Sequence, residues 1–172
     1  ARRNASRAGG RGTSYAAAMP THTEKRRMPY SAGEMYALIA DISRYNEFLP
    51  WCEGVRVRGR RPGDAPGSEV IDADLIISFK VFRERFGSRV TLDPKAQTVD
   101  VKYLDGPFRY LDNHWRFEEV QPGLCDVDFF VDFEFKNAIL RAVVGVVFTE
   151  AMQRIVRAFE DRAEALYGPR SM

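Results

Sequence analysis

Apolar and polar positions repeat along this chain with two different periods, and the change from one to the other divides it into elements. Between residues 55 and 135 the period is two. Residues 69–81 place Ile71, Ala73, Leu75, Ile77, Phe79 and Val81 on one face. Residues 82–92 place Phe82, Phe86, Val90 and Leu92 opposite Arg83, Arg85 and Arg89. Residues 98–104 alternate through Val99, Val101 and Tyr103, and residues 110–120 bring Leu111, Trp115 and Phe117 together. The cleanest run is 125–135, where Val127, Phe129, Val131, Phe133 and Phe135 oppose Asp126, Asp128, Asp132 and Glu134. With residues 55–60, which alternate valine with arginine, this predicts six half-buried strands. Arg61-Pro62-Gly63-Asp64, Asp93-Pro94-Lys95, Asp105-Gly106-Pro107 and Gln121-Pro122-Gly123 are turn chemistry between them. Residues 21–28 predict a further strand, ended by Pro29.

The helical period appears twice. Ser31 and Glu34 form a capping box ahead of Met35, Leu38, Ile39 and Ile42. The second helix is much longer. Asn137 suits an N-cap and Gly168-Pro169 a stop, and between them lie Leu140, Val144, Val147, Phe148, Ala151, Ile155, Phe159, Ala163 and Leu166. Such a helix is about 45 Å long. Residues 142–148 carry no charge, whereas Arg154, Arg157, Glu160, Asp161, Arg162 and Glu164 supply a wet face further on. The first half is therefore expected to be enclosed on most sides and the second to lie on a surface. Gly145 sits mid-helix, where glycine costs about 1 kcal/mol relative to alanine, so close packing or room for a ligand should compensate. Residues 45–52 are dense in aromatics without a period and predict a short helix or ordered loop. The class is α+β: a curved antiparallel sheet of about seven strands wrapped round a long C-terminal helix, with two short helices after the first strand. A twisted sheet curling round a helix leaves a gap wherever side chains do not fill it.

Charge changes the picture in one respect. The 172 residues carry 26 Lys and Arg against 24 Asp and Glu. Residues 1–18 hold Arg2, Arg3, Arg7 and Arg11 and no acid, and without these four the count is 22 basic to 24 acidic. A domain over 19–172 that is slightly acidic argues against bulk nucleic-acid binding, DNA included. The leader 1–18 reads as a tag, as an upstream start before Met19, or as a transit remnant. Cys52 and Cys125 have no metal or redox spacing and read as buried thiols of a reducing compartment. The apolar run 138–148 is too short to cross a bilayer, which takes about 20 residues.

Pro29-Tyr30-Ser31-Ala32 with Met35-Tyr36, Asp41, Tyr45 and Glu47-Phe48-Leu49-Pro50-Trp51-Cys52 resembles the coenzyme Q-binding protein family. So do Tyr103-Leu104-Asp105-Gly106-Pro107-Phe108, Trp115-Arg116-Phe117, Phe133-Glu134-Phe135-Lys136, Ala158-Phe159-Glu160 and Leu166-Tyr167-Gly168. The resemblance runs from about Thr21 to Gly168. It implies the helix-grip fold of the START-like, polyketide cyclase/dehydrase superfamily. It also implies ubiquinone as bound ligand, in support of respiration, with peripheral contact to the membrane and to respiratory complexes. Its details are similar to alphaproteobacterial members, which implies the bacterial cytoplasm beside the inner membrane; the alternative is the matrix side of the mitochondrial inner membrane. Some bacterial relatives are ribosome-association toxins, so binding of the large ribosomal subunit is the competing implication. An enzyme acting on an aromatic polyketide-like compound is a third.

No nucleophile elbow, phosphate loop, dinucleotide fingerprint or metal motif occurs, and of the two histidines, His22 and His114, the latter, on a strand next to Trp115, reads as a surface or half-buried residue rather than a base. A non-enzymatic role without catalytic cofactor or metal is expected. The pocket mouth is expected at Phe48, Leu49, Pro50 and Trp51, beside Tyr45. The expected walls are Phe79, Phe82, Phe86, Trp115, Phe129, Phe133, Val143, Val144, Val147 and Met152, with Tyr, Trp or Arg donors serving quinone oxygens. Arg56, Arg58 and Arg60 are expected on one side of their strand. They serve there either as edge protection or as a contact for anionic lipid or RNA.

Overall fold

The computed structural model of the chain describes residues 21–172, and the leader expected at 1–18 lies outside the described residues. Seven strands make one antiparallel sheet in the order β1-β7-β6-β5-β4-β3-β2. They are β1 Thr21–Met28, β2 Cys52–Pro62, β3 Glu69–Phe79, β4 Phe82–Asp93, β5 Thr98–Asp105, β6 Phe108–Gln121 and β7 Leu124–Phe135. Helix α1 (Ala32–Ala40) and a 3-10 turn (Ile42–Glu47) follow β1, and α2 (Ala138–Tyr167) ends the fold. This is the helix-grip arrangement that the alternation and the resemblance imply.

Local chemistry fixes both helix starts. Ser31 Oγ accepts from the Glu34 backbone at 3.0 Å while Glu34 accepts from the Ser31 backbone at 3.0 Å. Asn137 Oδ1 accepts from the backbones of Ile139 and Leu140 at 2.8 and 3.0 Å. Met35, Leu38 and Ile39 of α1 then enter one core with Phe159 and Ala163 of α2, Val90, Val99 and Phe117. Around this core the C-terminal half of α2 is fastened at its end. Tyr167 donates to Glu34 O and Tyr30 to Gly168 O, each at 2.8 Å.

The N-terminal half is held differently, and the expected enclosure is overturned. Leu140 is buried, but Ile139 is 67% exposed and Val146 87%. The charge-free stretch carries two apolar faces, and only one of them meets the sheet. Gly145 lies on the exposed side, a Cβ there would meet nothing within 4 Å, and α2 continues through it unbroken. Tight packing does not compensate for it, and its open side faces away from the sheet.

Two strand expectations are also corrected. Val81, assigned to an apolar face, is 91% exposed, because β3 ends at Phe79 and the chain reverses through Lys80 at φ 54°. The alternation of Phe79 and Val81 runs into a two-residue turn. In β2 a register shift between Val57 and Gly59 sets Arg56 opposite Asp74 but Arg60 opposite Ile71. Directly paired residues share a face, so the bulge turns Arg60 to the inner side, where it meets Glu69 at 3.2 Å. The three arginines do not form one row.

On the outer face most charges are paired. Asp74, 5% exposed, takes both Arg58 and Arg85. Asp105 joins the same two arginines at 3.3 and 3.1 Å. Arg89 and Arg61 hold Asp72 at 2.8 and 3.2 Å. The hydrogen bond from Arg89 leads in pulling Asp72 down to about 2. Asp126, expected on a plainly solvated face, is 9% exposed and bonded to Arg27 at 2.8 Å.

Candidate ligand cavity

Between the concave sheet face and α2 lies a cavity of about 290 Å³. Strand alternation supplies its walls. Leu75, Ile77 and Phe79 come from β3, Phe82 and Phe86 from β4, and Leu111 and Trp115 from β6. Phe129, Val131 and Phe133 come from β7. The inner face of α2 adds Val144, Val147, Ala151, Met152 and Ile155. Rings dominate: Phe108 stands edge-on to Phe86 at 5.3 Å and to Phe133 at 5.6 Å, and Trp115 lies 4.4 Å from Phe129 and 5.2 Å from Phe159.

Of the residues expected here, Leu49, Trp51, Phe79, Phe82, Phe86, Trp115, Phe129, Phe133, Val144, Val147 and Met152 line the space. Phe48, Pro50 and Val143 do not. Phe48 packs on Phe159 at 5.3 Å beneath the Arg162 guanidinium. Pro50 belongs to the turn before β2, and Val143 sits half-buried on the flank of α2, one position away from the lining residue Val144. A helix rotates about 100° per residue, so the step from Val144 to Val143 turns the side chain off the inward stripe of Val144, Val147 and Ala151.

Trp51, expected at the pocket mouth, lies at one end of the sheet. Antiparallel order puts the β3–β4 turn, the β5–β6 turn, the β7–α2 junction and the start of β2 together there. Trp51 adopts φ 64° at this end, its ring edge-on to Phe79 at 5.5 Å and under the Arg154 guanidinium at 5.1 Å. A left-handed tryptophan is strained, and such strain gathers at functional sites. Gly106, φ 134°, presses the β5–β6 turn onto β4 so closely that a Cβ would stand 2.8 Å from Arg85 O. The Tyr103 hydroxyl accepts from the Phe108 backbone at 3.1 Å, and Pro107 and Phe108 are thereby set against the cavity.

Few polar groups reach this interior, and most are satisfied. Tyr45 donates to Ile39 O, and burial pushes its hydroxyl pKa up. Ser88 donates to Ala73 O at 3.3 Å, Asn113 to Phe130 O at 2.8 Å, and the Trp115 indole to Asn113 Oδ1 at 3.0 Å. The Tyr and Trp donors expected for a ligand are thus largely engaged with protein. Glu84 is different. It lines the cavity opposite Ile77 and has no hydrogen bond or ion pair with any described residue. Sequence reasoning passed over Glu84, Ser88 and Asn113. The signal for all three was present, since Glu84 and Ser88 fall in register with Phe82, Phe86 and Val90 on the inner face of β4, and Asn113 with Leu111 and Trp115 on that of β6.

The other reactive groups lie elsewhere. His114 is on the outer face between Asp100 at 2.6 Å and Asp112 at 3.0 Å. His22 meets Glu24 at 2.9 Å. Burial pushes the Cys125 thiol up to about 12, so it is inert. Among the described residues no group of His, Cys, Asp or Glu could hold a metal, and no helix is long and apolar enough to cross a membrane.

Sheet, gripping helix and apolar interior together define a START-like ligand-binding module. Residues 28–160 match the family model for polyketide cyclase/dehydrase and lipid transport, and the chain belongs to that family. Among curated relatives, the ribosome association toxin RatA of Escherichia coli (strain K12) is 33% identical over 88% of this chain and 92% of its own. The mitochondrial coenzyme Q-binding protein COQ10 homolog B of Xenopus laevis is 32% identical over 86% of this chain and 59% of its own. The solution structure of the 18 kDa protein CC1736 from Caulobacter crescentus is 33% identical, with a TM-score of 0.71 over 88% of this chain and all of its own. A START superfamily protein from Mycobacterium smegmatis, 18% identical, shares the fold with a TM-score of 0.69 over 85% of this chain and 98% of its own.

Proposed function

We propose that the chain binds a polyprenylated quinone, ubiquinone, between sheet and α2 and carries it without transforming it. The observation that bears most weight is the apolar cavity of about 290 Å³ with a single unpartnered carboxyl group, Glu84, in its wall. Ligand sites combine apolar walls with a few orienting polar groups. A quinone's oxygens accept but do not donate, so they call for a donor rather than the Glu84 carboxylate, and its isoprenoid tail needs an apolar slot leading outward. Trp51, Phe79 and Phe82 at the mouth suit that tail. Relatives named for coenzyme Q binding support this reading. A carboxyl group with no base or nucleophile beside it is a poor catalytic centre, which favours carriage over turnover.

RatA-named relatives favour a second reading, association with the ribosome. The outer face counts against it. Arg58, Arg61, Arg85 and Arg89 on it are tied to carboxylates, as is Arg60 on the inner side, leaving Arg56 as the β2 arginine without such a partner among the described residues. Phosphate binding needs cations that are free to pair.

The test is mass spectrometry of an organic extract of freshly purified protein, repeated after incubation with quinone-loaded liposomes. Stoichiometric ubiquinone is expected. Val147→Trp, which fills the cavity from α2, should give an empty extract with an unchanged melting profile. An empty extract from the wild type after loading would overturn the carrier reading and make ribosome co-sedimentation the next measurement.

A further inference from the structure

The outward face of α2 has no role in the fold, yet it is apolar. Ile139 and Val146 are 67% and 87% exposed, with Ala142 and Gly145 exposed beside them. Val81, 91% exposed, stands on the β3–β4 turn at the same end of the molecule. The backbone N–H of Lys136 donates to Pro107 O at 2.8 Å, so the start of α2 is joined to the β5–β6 turn. Val81 and Ile139 therefore lie at the end of the molecule that carries Trp51, with Val146 about two turns further along the outward face of α2.

Once pairs are set aside, the exposed charges at this end are basic, and the one unpaired carboxyl group, Glu84, lines the cavity. Asp105 is held by Arg58 and Arg85, Glu134 by Arg141 at 3.4 Å, and Glu53 by Arg83 at 2.8 Å. Lys80, Arg109 and Lys136 are exposed and have no carboxylate partner among the described residues. The first acidic side chain along α2 is Glu150, beyond the stripe.

We infer that the mouth end is a membrane-docking surface: Val81, Ile139 and Val146 enter the interface of an anionic bilayer while Lys80, Arg109 and Lys136 meet its headgroups. Apolar area and basic charge on one surface are the two contributions that bind a peripheral protein to anionic lipid. The orientation points the mouth into the bilayer, so a long apolar tail could pass from lipid to cavity without crossing water. The inference rests on the lipid reading of the cavity. It replaces the β2 arginines, two of which are already paired, as the membrane contact.

The test is co-sedimentation of the full chain with phosphatidylcholine vesicles, with and without phosphatidylglycerol, alongside quinone binding in detergent micelles. Binding should appear chiefly on the anionic vesicles. The double variant Lys80→Glu/Lys136→Glu should weaken it at least about tenfold, as should Val81→Asp/Val146→Asp, and Arg56→Glu should not. All of these side chains are exposed, so the variants should melt like the wild type and still bind quinone in micelles. Loss of quinone binding by every form, with vesicle binding still dependent on this surface, would sink the ubiquinone reading and support the docking surface. Variants that sediment with vesicles like the wild type would overturn the docking surface. So would a wild type that binds quinone in micelles but no vesicles. A dimer dissociated by Val146→Asp, with vesicle binding unchanged, would assign the stripe to a second copy instead.

Discussion

Glu84 is a half-buried carboxyl group set among Ile77, Phe82 and Phe86 without a partner among the described residues, and like the oxygens of a quinone it accepts hydrogen bonds rather than donating them. Glu84→Leu should therefore tighten quinone binding, because it replaces that mismatch with apolar wall. Glu84→Gln supplies an amide donor to the quinone oxygens and should strengthen binding by up to about tenfold, the value of one good hydrogen bond. Both tryptophans, Trp51 and Trp115, line the cavity, so quenching of intrinsic fluorescence by a short-tail ubiquinone reports occupancy directly. Binding that is equal in all three proteins would remove Glu84 from the site. Gly145 makes a contrasting case. It has ordinary helical geometry with open space where a Cβ would go. Gly145→Ala should add about 0.5–1 kcal/mol to stability in urea denaturation and leave quinone binding as it was.

At the scale of elements, the β5–β6 turn depends on charges that belong to other strands. Asp74 on β3 gathers Arg58 from β2 and Arg85 from β4, and the same arginines reach Asp105 at the end of β5. Hydrogen bonds from these arginines, Arg58 foremost, hold the Asp74 carboxyl below the usual carboxylate range. Asp74→Ala should cost about 2–3 kcal/mol in urea denaturation, since two guanidinium groups lose a shared buried acceptor. It should also loosen Gly106 and Pro107, seen as faster amide exchange in residues 105–108. None of this convergence was visible in the chain. Period-two alternation made the strands legible, because inward and outward positions follow from the pleat alone. The cavity walls came with it: Phe79, Phe82, Phe86, Phe129 and Phe133 are simply the large inward residues. What alternation cannot reveal is a one-residue slip, so the bulge at Arg58 went unseen and Arg60 was given the wrong face. Nor can it tell a turn from a strand when the turn residue is apolar, as at Val81. The α2 stripe was misjudged for a related reason. Absence of charge from 142 to 148 marks apolar surface but does not say whether protein or something else covers it.

For the molecule as a whole, the two faces of the sheet respond to different variables: the concave face to apolar ligand and the convex face to pH. Asp72 is held near 2 by Arg89 and Arg61, and Asp74, Asp105 and Asp126 are also held low by arginines. A carboxylate whose folded pKa is depressed stabilises the fold above its unfolded value of about 3.9, and that stability is lost as pH falls through the folded pKa. Melting temperature should therefore drop between about pH 4 and pH 2. His114 acts in the opposite sense. Burial pulls its pKa down, but hydrogen bonds to Asp100 and Asp112 outweigh this and raise it above the ordinary histidine value. Its contribution is complete below about pH 6.5 and is lost as pH rises through the raised value. The side chain is 42% exposed, so this upper limb should be shallow, under about 1 kcal/mol. Melting curves of the wild type and of His114→Gln from pH 2 to 9 separate the two: the variant should flatten the upper limb and keep the acid limb. If both limbs survive, His114 is not the group that titrates. Quinone affinity measured by fluorescence quenching over the range where the fold is intact should not follow the His114 limb, because His114 stands on the face of β6 turned away from the cavity.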